Sequence, residues 1–84
     1  MQERRGFPRY RTLRGGRIHF NGHSIECLIR DLSEGGAGLG VAAVREIPLE
    51  IDVSFDDGGT ARGCLVRWRS PTALGVEFQR RELA

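Results

Sequence analysis

Lysine is missing from this chain: all thirteen basic residues are arginine. Arginine's planar fork matches phosphate and the O6/N7 edge of guanine, whereas lysine offers only a point charge, so these cations suit planar or phosphorylated anions. Cysteine is nearly missing too. Cys27 and Cys64 each stand alone in an apolar run, without the CxxC pairing or histidine spacing of a zinc or redox site, and are expected as buried reduced thiols. No apolar run approaches the roughly 18 residues that span a bilayer, and the first twenty residues are charged, with no apolar leader segment. A soluble cytoplasmic domain is the expectation. The sequence also has no phosphate loop of the GxxxxGK[ST] form, no metal-ligand cluster, and no nucleophile with a base and an orienter, which argues against an enzyme.

The residues that are present are unevenly placed along one domain of 84. Residues 1–17 hold Arg4, Arg5, Arg9, Arg11, Arg14 and Arg17 against a single acid, Glu3; the remainder carries seven arginines against ten acids. The positive charge therefore belongs to an N-terminal arm, residues 1–11, on a slightly acidic body, residues 12–80. With only Phe7 and Tyr10 as apolar anchors, the arm is expected to be flexible alone and ordered by a ligand.

The body reads as strands and turns. Arg17 to Phe20 and Ser24 to Ile29 flank Asn21-Gly22, the strongest short hairpin signal because both central residues of a type I′ turn need positive φ. A glycine-rich stretch from Gly35 to Val41 turns into a short strand. Ile47, Leu49, Ile51, Val53 and Phe55 alternate with polar residues, the period of a half-buried strand, with Pro48 at its start or at an edge. Asp56 to Gly59 is a second turn, in which the acids serve the backbone rather than chemistry. Thr60 to Arg69 follows, with Cys64, Val66 and Trp68 on one face, and then a last strand with Leu74, Val76 and Phe78. Trp68 and Phe78 are expected to pack in the core, and His19 and His23 to sit exposed beside the first turn. Six strands with short turns and no helical stretch predict a small all-β antiparallel barrel, with little or no C-terminal helix.

Two constellations could carry chemistry. The first is Arg5-Gly6-Phe7-Pro8-Arg9, in which Pro8 biases Phe7 toward an extended arm whose arginines can close on a ligand. The second is Asp31-Leu32-Ser33-Glu34-Gly35-Gly36, placed after an apolar strand: Asp31 can accept hydrogen bonds from guanine N–H groups, Ser33 both donates and accepts, and Gly36 leaves room for a base or phosphate. Singly, each is an ordinary charged tail or an ordinary Asx or ST turn. Together, RxxxR followed about two dozen residues later by DxSxxG resembles the PilZ family, and the likeness extends through Gly63 to Trp68 and Gly75-Val76-Glu77-Phe78.

That resemblance implies a bacterial cyclic di-GMP receptor without catalytic activity. It assigns Arg5 and Arg9 to phosphates and the guanine O6/N7 edge, and Asp31, Ser33 and Gly36 to the base and phosphates from the barrel surface. Arg4, just before the motif, implies a second, intercalated ligand molecule. A chain of 84 residues without an output domain is then expected to act on a separate protein partner. Two other readings fit parts of the sequence: a small β-barrel that binds nucleic acid through its arginine arm, and a PilZ-like protein-interaction module that has lost the nucleotide. Against the first, the body is acidic and its strands offer no pair of exposed aromatics for stacking.

Overall fold

The computed structural model describes residues 10–42, 46–55 and 59–79. Arg4, Arg5, Arg9 and the expected mobility of the arm, the Asp56 to Gly58 part of the second turn, and residues 80–84 lie outside them. Six strands follow in order: β1 (Tyr10–Phe20), β2 (His23–Leu32), β3 (Gly36–Gly40), β4 (Glu50–Phe55), β5 (Arg62–Ser70) and β6 (Ala73–Phe78). All neighbours are antiparallel, and they close in the order β1-β2-β3-β6-β5-β4 when Gly16 to His19 of β1 pair with Asp52 to Phe55 of β4. No helix occurs among the described residues, so none there is long and apolar enough to cross a membrane.

The alternation read from the sequence builds the interior. Ile18, Ile29, Leu39, Val53, Cys64 and Leu74 are fully buried, and Phe20, Phe55 and Phe78 pack partly buried against them. Burial of each large aliphatic side chain contributes about 1.5 to 3 kcal/mol against the entropy of ordering the chain. Asn21 and Gly22 take φ of 49° and 82°, the type I′ geometry that the dipeptide predicts. Both cysteines are buried and unbridged, and burial pushes the Cys64 thiol up to about 12 while its S–H donates to the Arg62 carbonyl at 3.4 Å. Such a sulfur is packing material at neutral pH.

The structure departs from the sequence reading at several points. Strand β1 begins at Tyr10 rather than Arg17, because its polar first half is held by the ladder to β2 and not by apolar alternation of its own. Tyr10 and Arg11 therefore belong to the barrel and not to the arm. Strand β2 runs on to Leu32, which puts Asp31 inside a strand rather than after one, and β4 starts at Glu50, beyond Pro48. His19 is half-buried and hydrogen-bonded to Ser54 Oγ at 2.8 Å, while His23 is exposed and meets Phe20 edge-on. Trp68 is 51% exposed on the outer wall, since a bulge at Arg67 reverses the alternation between Val66 and Trp68.

Candidate ligand-binding wall

The site forms on the outside of the barrel, where β-bulges break the strict in-and-out rule. Between Ile29 and Asp31 the pairing of β2 with β3 skips Arg30, so Arg30 and Asp31 both face outward. On β1 the register shifts between Arg11 and Arg14, with Leu13 held at φ 54° and the Thr12 hydroxyl donating to the Ile29 carbonyl at 2.7 Å. On the far side of the wall the bulge at Arg67 turns Trp68 outward.

The ladders place these residues in one row. Arg11 pairs with Asp31, Asp31 with Gly38, Gly38 with Gly75, and Gly75 with Trp68. Gly38 and Gly75 have no side chains, and the neighbours lean over them. A methyl at Gly38 would lie 2.7 Å from Asp31 Oδ2, and one at Gly75 would overlap the indole Nε1 of Trp68. Directly paired positions on adjacent strands stand about 5 Å apart, so the Asp31 carboxylate and the Trp68 indole lie side by side over a main-chain floor. A carboxylate beside an exposed aromatic surface can accept hydrogen bonds from the edge of a ring that stacks on that surface.

Ser33 and Gly36 form the β2–β3 turn next to this row. The Ser33 hydroxyl accepts from the N–H groups of Gly35 and Gly36, each at 3.2 Å, and donates to the Gly36 carbonyl at 3.3 Å, while the Ser33 N–H bonds the same carbonyl at 2.9 Å. Ser33 thus shapes the turn before any ligand arrives. Ser33→Ala should cost about 1 kcal/mol of stability in urea denaturation, the worth of a local side-chain hydrogen bond; an unchanged midpoint would show the hydroxyl idle in the turn. On sequence grounds Gly36 leaves room for a ligand, but the β6 main chain already demands a glycine there, because a methyl would overlap the Val76 carbonyl oxygen.

The structure brings Asp31, Ser33 and Gly36 to one end of the β2–β3 ladder, while Arg4, Arg5 and Arg9 fall outside the described residues. Trp68, Gly38, Gly75, Arg11 and Arg30 join this wall through the ladder register and not through the two motifs. One signal was available: Gly36, Gly38 and Gly40 alternate with Ala37 and Leu39, a period of two that strips side chains from one face of a strand. No group of three potential metal ligands occurs among the described residues.

A search of curated proteins returns no match for this chain. A family model does match: that of the PilZ domain, over residues 3–84. The PilZ domain is a binding and adaptor family rather than a catalytic one. The closed barrel supplies the architecture and the match covers almost the whole sequence, so the chain belongs to the PilZ domain family.

Proposed function

We propose that this chain is a receptor for cyclic di-GMP that passes the signal to a separate protein. The observation that carries the reading is the row in which the Asp31 carboxylate and the Trp68 indole flank each other over Gly38 and Gly75. A guanine stacked on the indole presents its N1–H and N2–H donors to the carboxylate, and stacking on an aromatic is worth about 1 to 3 kcal/mol per base. The arm arginines supply the charge that a dianion needs, with Arg5 and Arg9 on phosphates and a guanine edge and Arg4 on a second ligand molecule. Strand β1 starts at Tyr10, opposite Leu32, so the arm joins the barrel at the Asp31 end of the row.

Calorimetric titration with cyclic di-GMP tests this, with GMP and cyclic di-AMP as controls. Tight guanine-selective binding at close to two ligands per chain is expected, weakened at least tenfold in Arg9→Ala by loss of a charged contact. Absence of binding to the wild type would end the proposal. One observation favours the nucleic-acid alternative: Tyr10 and Trp68 are both more than half exposed, contrary to the sequence expectation. Affinity for single-stranded oligonucleotides that ignores guanine and falls steeply with salt would support that reading instead.

A further inference from the structure

Seven arginines fall within the described residues, and five of them are engaged by the protein. Arg17 pairs with Glu26 and Arg67 with Glu77. Arg14 lies over Phe55 and Arg62 over Phe78, and Arg69 donates to the Ile47 carbonyl at 2.7 Å. Arg11 and Arg30 have no acid, carbonyl or ring partner among the described residues, and the two border the same groove. Among the described residues, that groove, about 420 Å³, is lined by Arg11, Leu13, Arg30 and Asp31.

The local backbone is arranged around it at a cost. Leu13, an apolar residue 62% exposed, is held at positive φ, a conformation unfavourable for a side-chain-bearing residue that persists where the surroundings over-determine it. The Thr12 bond to the Ile29 carbonyl fixes this bulge opposite the one at Arg30. The result sets a base and an acid, consecutive in sequence, on one face. The Arg30 stem passes 3.3 Å from where a methyl at Gly40 would sit, as the Asp31 carboxylate covers the equivalent place at Gly38.

A guanidinium beside a carboxylate matches guanine and mismatches adenine. Guanine offers the acceptors O6 and N7 next to the donors N1–H and N2–H, whereas adenine offers a donor at N6 where guanine has O6 and an acceptor at N1. We infer that Arg30 is a specificity-determining residue, taking the O6/N7 edge of the guanine whose N–H edge Asp31 accepts, and that Arg11, across the ladder from Asp31, holds a phosphate of the same nucleotide. This rests on the cyclic di-GMP reading and adds to it two arginines outside the RxxxR and DxSxxG motifs.

The test is a cycle between one side chain and one ligand atom. Wild type, Arg30→Ala, Arg30→Lys, Arg11→Ala and the control Arg17→Ala are titrated with cyclic di-GMP and with its 7-deazaguanine analogue, which lacks N7. A bidentate contact predicts that wild type loses roughly tenfold on the analogue, and that Arg30→Ala loses roughly tenfold on the parent but little further on the analogue. Arg30→Lys keeps the charge without the fork and should share that insensitivity to N7. Arg11→Ala should weaken both ligands by the same factor. Losses that simply multiply in Arg30→Ala, or an affinity equal to that of Arg17→Ala, would overturn the inference while leaving the receptor reading intact. A wild type that binds neither ligand would overturn both. Arg11, Arg17 and Arg30 are all exposed, which predicts melting within a few degrees of wild type for each variant and keeps binding losses separable from folding losses.

Discussion

Gly36→Ala should lower the melting temperature by about 15 °C, although it adds a single methyl to a short strand. The added carbon would overlap the Val76 carbonyl oxygen, which is main chain within the β3–β6 ladder and not the movable end of a side chain. Relief requires β3 and β6 to separate, which stretches the Gly36 to Glu77 pairing and the bond from the Phe78 N–H to the Gly35 carbonyl. Overpacking of a tight site costs about 1 to 3 kcal/mol, and the rigidity of the neighbour here puts the cost near the top of that range. Each kcal/mol shifts the melting of a domain this small by about 4 to 8 °C. Gly38→Ala provides the contrast, because its methyl meets the Asp31 carboxylate, which can turn away. Thermal melts followed by circular dichroism should therefore show a large fall for Gly36→Ala and only a few degrees for Gly38→Ala. Equal falls would mean that the two glycines are not kept for different reasons.

Cyclic di-GMP affinity should drop by more than a hundredfold in the double variant Asp31→Ala with Trp68→Ala. Loss of a hydrogen bond from a charged acceptor costs about 1.5 to 3 kcal/mol, and loss of one stacked base about 1 to 3 kcal/mol. The two side chains lean over paired glycines and would act on one base, so their energies should couple rather than add independently. Calorimetry of both singles and the double gives that coupling directly. Trp68 is largely exposed, so Trp68→Ala should leave the melting temperature nearly unchanged, separating a ligand contact from a packing role. A Trp68→Ala protein that binds like wild type would remove the indole from the site.

The barrel was legible in the sequence because its core depends on local alternation. Ile51 and Val53, Cys64 and Val66, and Leu74 and Val76 all point inward as the period of two requires. The Asn21-Gly22 turn was legible because only a few residue types tolerate its geometry. Trp68 departs from the inward position its alternation predicts because one extra residue, Arg67, shifts the phase of β5, and a bulge leaves no mark in composition. The first half of β1 is silent in the sequence for a related reason: Tyr10 to Gly15 carries no apolar period and is a strand only because β2 pairs with it. Asp31 and Ser33 could be found from their motif, yet the partners that complete the wall come from β1, β3, β5 and β6, and only the ladder register brings those segments together.

Register also sets how such a wall can change. Arg30 and Trp68 each owe their position to a single supernumerary residue, so deleting one residue from β2 near Arg30, or Arg67 from β5, would swap the lining with its neighbours and leave the sheet order intact. Ligand preference in a barrel of this kind can be rewritten by insertion and deletion within strands as readily as by substitution, and relatives of identical topology can present unrelated chemistry along the same row.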